Sequence, residues 1–171
     1  MNVRPAYTSD CTHLAAIYQQ SLDAKDCCME VRVDEDYFLK MLERFVDREA
    51  LLVIEDGDVL HGFGVVKKYS DRIGYRVACE TSIYLCRDVT GKGHGSKLQR
   101  ALMEKVREFR YHHVVTKIWA SNLGSIRFHQ RFGFEMVGVQ KEVGYLGGAW
   151  RDVAIMQCIL PEVEPFEADL A

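Results

Sequence analysis

At 171 residues, the chain suits one domain that removes about two-thirds of its unfolded surface from water. Apolar residues at 48% and charged residues at 27% are ordinary for a soluble globular fold. The net charge of −3 lacks the basic field that broad nucleic-acid or membrane-surface binding requires. No apolar run approaches the roughly 20 residues of a membrane span, and the opening MNVRPAYTSDCTHLA lacks the continuous apolar segment of a secretory signal. Cys11, Cys27, Cys28, Cys79, Cys86 and Cys158 fit neither a zinc spacing nor a CxxC pair. The expectation is a cytoplasmic protein with reduced thiols, no metal, and no nucleic-acid or membrane partner.

In chain order, NVRPA reads as a first strand. Ser9 or Asp10 then caps a helix with Leu14, Ile17, Tyr18 and Leu22 at helical spacing. After a polar stretch, residues 23–33, a second helix starts near Asp34. Adjacent apolar pairs every four residues predict that it buries Tyr37, Phe38, Met41, Leu42, Phe45 and Val46. Two apolar runs flank Asp56-Gly57, which predicts a hairpin with a tight primed turn. YRVACETSIYLC is the next strand, followed by DVTGKGHG and a helix that turns Leu98, Ala101, Leu102, Val106 and Phe109 inward. HVVTKIW is a fifth strand, and NLGSIRFHQRF is a short helix stopped by Gly133. FEMVGVQKEV and RDVAIMQCIL are two final strands, and PEVEPFEADLA is an acidic tail expected to fray. The order β-α-α-β-β-β-α-β-α-β-β predicts a mixed sheet, mostly antiparallel, with helices on its faces. The domain is placed at residues 1–160 and the tail at 161–171.

Gly91, Gly93 and Gly95 follow a strand and open a helix. Unpaired N–H groups and the positive end of the helix dipole attract phosphate in that position. Read alone, the string supports a phosphate cradle and a left-handed turn equally. It is neither a Walker A loop nor a G-x-G-x-x-G dinucleotide fingerprint. On the preceding strand, alternation groups Glu80, Ser82 and Tyr84 on one face and Cys79, Thr81, Ile83 and Leu85 on the other. Asn122, Ser125 and His129 share one face of the short helix. On spacing alone, a packed histidine is as good a reading of His129 as a catalytic one. His112 and His113 point oppositely on a strand and find no third ligand, and Trp119 and Trp150 read as packing residues or pocket walls.

CETSIYL, TGKGHG and SNLGSIRFHQRFGFEMVG together resemble the GNAT superfamily of acetyl-CoA-dependent N-acetyltransferases. The match is to the family's Q/R-x-x-G-x-G/A loop and its downstream N-x-x-[AS]-x-x-x-Y-x-x-x-G-F signature. RFHQRFGF and VGYLGGAWRDVAIMQ bring the chain nearest to the phosphinothricin and methionine-sulfoximine acetyltransferase group. The resemblance implies a seven-stranded sheet with about four helices, acetyl-CoA as co-substrate, a small amino-acid analogue as acceptor, and a homodimer.

It also implies roles. The main chain of Gly91, Lys92, Gly93, His94, Gly95 and Ser96 would hold the coenzyme pyrophosphate, with Lys92 and Lys97 adding attraction. Ile83, Tyr84 and Leu85 would pair with the pantetheine arm as an added strand does, one N–H polarising the acetyl carbonyl. Asn122 and Ser125 would contact that arm. Glu80 would accept the amine's proton directly or through water, and His129 stands where the family's tyrosine often protonates the thiolate. Arg72 and Arg76 are the candidates for an acceptor carboxylate, Arg76 through its i−4 relation to Glu80 on a continuous strand, with Tyr84 beside them.

The chain departs from the pattern at Thr90, where Gln or Arg is usual, and at His94, Leu146 and Ala149. It also lacks the group's Thr…Pro-rich connection between the first two helices. Two alternatives stay open. One is another amine, a peptide N-terminus or a polyamine, the latter suggested by the acidic run Val33-Asp34-Glu35-Asp36. The other is a coenzyme-binding module without chemistry.

Overall fold

The computed structural model describes residues 1–27 and 32–167. The order of elements matches the sequence reading: β1 (Asn2–Pro5), α1 (Cys11–Asp23), α2 (Glu35–Arg44), β2 (Ala50–Asp56), β3 (Val59–Lys68), β4 (Ala78–Leu85), α3 (His94–Glu108), β5 (His113–Trp119), α4 (Leu123–Gln130), β6 (Glu135–Leu146) and β7 (Ala149–Ile159). The strands form one sheet in the order β1-β2-β3-β4-β5-β7-β6. Among the described residues, only the β4–β5 pair is parallel.

Alternation along the strands supplies two apolar faces. Leu51, Val53, Phe63 and Val65 meet Leu14, Ile17, Tyr18 and Phe38 of α1 and α2. Leu52, Ile54, Val66 and Cys79 meet Leu98, Leu102 and Val106 of α3 and Ile126 of α4. Each fully buried Leu or Phe contributes about 1.5–3 kcal/mol relative to exposure.

Local chemistry sets several boundaries. The Asp34 carboxylate accepts the Tyr37 N–H at 3.3 Å and caps α2. Its helix ends at Arg44, before Phe45 turns to an extended backbone. Of the six inward positions expected there, Phe38 is buried and Met41, Leu42 and Phe45 pack partly buried against the same core, whereas Tyr37 and Val46 are exposed. The apolar repeat outruns a ten-residue helix. Asp10 does not cap α1 through its side chain. Its carboxylate is gripped by Arg4, at 2.7 and 3.1 Å, which holds its pKa below the usual carboxylate range against the opposing effect of burial.

β4 begins at Ala78, three residues later than read, because Ile73–Tyr75 form a 3₁₀ turn. β6 and β7 instead run further than read, meeting at Gly147-Gly148. Trp119 is buried and donates to the Cys27 carbonyl at 3.2 Å. Trp150 is exposed and stacks edge-on against Tyr145, also exposed.

The described part of the tail, residues 161–167, is fastened to the domain, and residues 168–171 lie outside the described residues. Arg107 pairs with Glu162 at 3.0 Å, and Arg110 and Arg76 donate to the carbonyls of Pro165 (2.7 Å) and Phe166 (2.8 Å). Arg48 lies 3.9 Å over the Phe166 ring and 4.1 Å over that of Tyr111.

Candidate active site

The site begins where β4 and β5 part. β5 pairs with β4 only at His113–Val115, against Ala78–Glu80, yet it stays zipped to β7 along its whole length. Among the described residues, the edge of β4 past Glu80 has no strand partner on that side. A backbone alternates the direction of its hydrogen-bonding groups. Ala78 and Cys86 bond towards β3, to Tyr69 and His61, so the main-chain groups of Ile83 and Leu85 turn towards the opening. By the same alternation Tyr84, paired with Phe63, has its main chain turned to β3. Of the three residues expected to pair with the pantetheine arm, Ile83 and Leu85 present backbone there. Tyr84 presents only its ring, stacked on Phe63 at 4.9 Å and edge-on to Tyr18 at 4.8 Å. No register shift interrupts β4 against β3, so the two-face reading of Glu80, Ser82 and Tyr84 holds without a bulge.

The opening holds a cavity of about 440 Å³, walled by Ser82 to Leu85, Thr90, Gly91, Asn122, Ser125 and His129 among others. Thr90 and Gly91 carry its wall to the loop before α3, and Lys92, Gly93, His94, Gly95 and Ser96 lie beyond that lining. Gly91 and Gly93 have φ of 77° and 89°, a left-handed conformation that glycine adopts without strain, and both face open space. Gly93 is the N-cap of α3, so the N–H groups of Gly93, His94, Gly95 and Ser96 have no intrahelical partner. The helix also places about half a positive charge there.

Gly95 plays a different part from its neighbours. A Cβ on it would sit 3.0 Å from Leu85 and 3.4 Å from Phe128, so it lets α3 close against β4 and α4. His94 is half-buried, its ring edge-on to His61 at 5.0 Å. Burial, with His61 and Lys92 nearby, lowers its pKa. Lys92 is exposed on the loop. Lys97 is committed elsewhere, donating to the Met1 carbonyl at 2.6 Å.

α4 carries the other wall. Asn122 caps it, its Oδ1 accepting the Ser125 N–H at 3.0 Å, which leaves the amide NH₂ for a ligand. His129 is 5% exposed, with its Nδ1 2.9 Å from the Ser125 carbonyl oxygen and 3.4 Å from the Ser125 hydroxyl. A carbonyl only accepts, so Nδ1 carries the proton and Nε2 is left with a lone pair. That Nε2 is buried without a hydrogen-bond partner among the described residues. Burial lowers the His129 pKa, partly opposed by the Ser125 carbonyl, so the ring is neutral at neutral pH.

Glu80 stands at the last β4–β5 pair. Its Oε2 accepts from Lys117 Nζ at 2.7 Å, both side chains partly exposed. Lys117 lines the cavity, as do Arg87 and Arg131. None of the three was singled out from the sequence. Arg87, paired with Asp26, stands three residues before Thr90 and brings a guanidinium to the loop that Thr90 lacks. Lys117 was visible as the one charge inside the apolar strand HVVTKIW.

The expected placement of Arg76 is corrected. It lies in the turn before β4, not on a strand with Glu80, and its Nε is bound to the tail. Arg72 is exposed on the same loop, and neither arginine lines the cavity. The acceptor-side connection after α1 lies partly outside the described residues. Among the described residues no cluster of metal-ligating side chains occurs.

Strand edge, loop and histidine line one cavity, beside a helix entrance of the kind that attracts phosphate. Comparisons agree. The family described as acetyltransferase (GNAT) domain matches residues 3–155. L-Amino acid N-acyltransferase MnaT of Escherichia coli K12 is 31% identical over 95% of each chain. L-Methionine sulfoximine/L-methionine sulfone acetyltransferase of Salmonella typhimurium LT2 is 31% identical over 95% of this chain and 96% of its own. The crystal structure of a phosphinothricin acetyltransferase from Sinorhizobium meliloti in complex with AcCoA superposes with a TM-score of 0.89 at 26% identity, covering 97% of this chain and 93% of that one. With a slot of this shape and likeness along nearly its whole length, this chain belongs to the GNAT family of acetyltransferases.

Proposed function

We propose that the protein moves the acetyl group of acetyl-CoA to the primary amine of a small amino-acid analogue, of the methionine sulfoximine, methionine sulfone or phosphinothricin type, by direct transfer in a ternary complex. The observation that carries this reading is the parting of β4 from β5. It leaves the backbone of Ile83 and Leu85 free between a carboxylate, Glu80, and a neutral imidazole, His129. Relatives whose names specify amino acids or methionine sulfoximine support the acceptor class.

Acetyl-CoA is the co-substrate, and the residues present suit it. The free N–H groups of Gly93 to Ser96 and the Arg87 guanidinium answer a pyrophosphate, and the β4 edge answers an amide-bearing arm. In the transfer, the amine nitrogen bonds to the thioester carbon and the carbon–sulfur bond breaks. A gap-facing N–H steadies the oxyanion. Glu80 accepts the ammonium's proton, directly or through water. His129 cannot donate as found, since Nε2 bears the lone pair. It orients the thiol or relays a proton that first reaches it from the amine side.

Direct transfer is supported by the cysteines near the slot. Burial pushes the Cys79 and Cys86 thiols up, so neither offers a ready thiolate to carry the acetyl group. The acids that would have suited a polyamine are occupied at the start of α2: Asp34 caps it, Glu35 accepts from Thr12 at 2.6 Å, and Asp36 pairs with Lys40.

A homodimer completes the proposal. β6 is an edge strand with Met136, Val137, Val139, Val143 and Tyr145 exposed, beside Trp150 of β7. An uncovered apolar edge of this kind attracts a partner, and sedimentation at a monomer mass would reject it.

The acceptor class is tested by thiol release from acetyl-CoA over a panel of methionine sulfoximine, methionine sulfone, phosphinothricin, a polyamine and a short peptide. The expected result is release with the first three, with initial-rate lines that intersect when both substrates are varied. Release only with the polyamine or peptide, or parallel lines, would overturn it.

A further inference from the structure

The Glu80–Lys117 ion pair joins the slot, which Lys117 lines, to a second hollow that Glu80 lines with Lys67, Lys68 and Tyr69, and it has no structural necessity. Parallel pairing puts Glu80 and Val115 on one face. Lys117, two residues on, shares that face and reaches back across the opening to Glu80 at 2.7 Å. The side chains are 46% and 31% exposed, and exposed pairs contribute little to stability. Sheet and core do not need it. Lys117 also faces the Tyr69 ring, 6.0 Å away, so its ammonium has a resting place when Glu80 is engaged.

We infer that Lys117 binds the carboxylate of the acceptor, and that the ion pair is a stand-in for a bound zwitterion. This rests on the function proposed above. An α-amino acid carries an ammonium and a carboxylate on one carbon, and the pair presents the complementary charges side by side, 2.7 Å apart. On binding, the acceptor's ammonium takes Glu80 and its carboxylate takes Lys117. One internal pair is exchanged for two charge-assisted hydrogen bonds with the ligand, and the amine is delivered to the carboxylate that must accept its proton. Among the guanidiniums, Arg76 is bound to the tail, Arg72 lies outside the cavity lining, Arg87 stands beside the loop where it is assigned to the pyrophosphate, and Arg131 lines the cavity from the α4 side, over the Phe128 ring, with no contact to Glu80.

The test compares kcat/KM for methionine sulfone with that for its α-carboxamide, in wild type, Lys117→Met and Lys117→Arg. The carboxamide keeps the amine and side chain but has no anion. Any effect of Lys117 on Glu80 is common to both acceptors and cancels in the ratio. Wild type is expected to favour the acid, K117M to lower the ratio about ten- to hundredfold, mostly through KM, and K117R to retain most of it. An unchanged ratio in K117M, with wild type active, overturns this inference and leaves the proposed function standing. No thiol release by wild type with any amino acid overturns both. Lys117 is half-exposed, and Lys117→Gln repeats the measurement should K117M fail to fold.

Discussion

The two halves of β4 differ more than their sequence suggests. ACE and TSIYL read as one alternating strand, and both keep register with β3. The first half also has β5 on its other side. Its Cys79 is fully buried, and the tail is strapped nearby through Arg76. The second half has lost β5, and its Ile83 and Leu85 edge opens on the cavity. A strand buries its backbone polar groups only when both neighbours satisfy them. The half that lacks a neighbour is therefore the half equipped to bind.

The largest expected effect is chemical. Glu80→Gln keeps the shape at the boundary between the halves and removes the proton acceptor, so kcat should fall about 10²- to 10⁴-fold. Calorimetry should show acetyl-CoA binding preserved. A variant with normal kcat and only a raised acceptor KM would make Glu80 a binding group alone.

Next comes the closed side. Leu102 is fully buried, and its Cδ1 sits 2.6 Å from where a Cβ on Gly64 would be, which brings α3 close to β3. Leu102→Ala should cost about 2–5 kcal/mol in urea unfolding, with kcat per folded molecule little changed. A large loss of kcat without destabilisation would erase the distinction between scaffold and slot.

A smaller contrast pits Gly93 against Gly57, at φ 89° and 58° with open space around each. Alanine should strain either backbone by about 1–2 kcal/mol. Only Gly93→Ala should also weaken acetyl-CoA binding, because only its N–H groups open a helix. Equal binding by both variants would count against the helix entrance as the anion site.

The smallest effect is titration of His129. Its pKa is lowered by burial, so protonation favours the unfolded chain. The stability contributed by the neutral ring is present above about 6.5, its ordinary value, and declines as pH falls below it. The acid limb of kcat/KM should likewise have a midpoint under that value. His129→Gln should flatten the stability profile between pH 5 and 7, a range of about two units around histidine's usual titration. A profile identical to wild type would place the limb on another group.

Much of this was readable from the chain. Asp34 and Asn122 announced helix starts that their side chains do cap, and the CETSIYL alternation separated Glu80 from Cys79 correctly. The misreadings lie where a local pattern met a distant contact. Arg76 was counted onto a strand that a 3₁₀ turn delays, and its donor went to Phe166, 90 residues away. Lys117 gave no motif, and it matters only because the opening brings it to Glu80. Gly95 looked like its two neighbours, but Leu85 and Phe128 give it a packing role.

The sequence by itself determined the order of elements, the two-faced pattern of each strand and the flexible entry to α3. These follow from backbone sterics and side-chain alternation over a few residues. The tertiary structure decided which half of β4 goes without a neighbour, which cation meets Glu80 and which nitrogen of His129 is left unpaired. Those depend on how β5 divides its pairing between β4 and β7 and on carbonyls brought near by packing, and short-range periodicity carries no record of either.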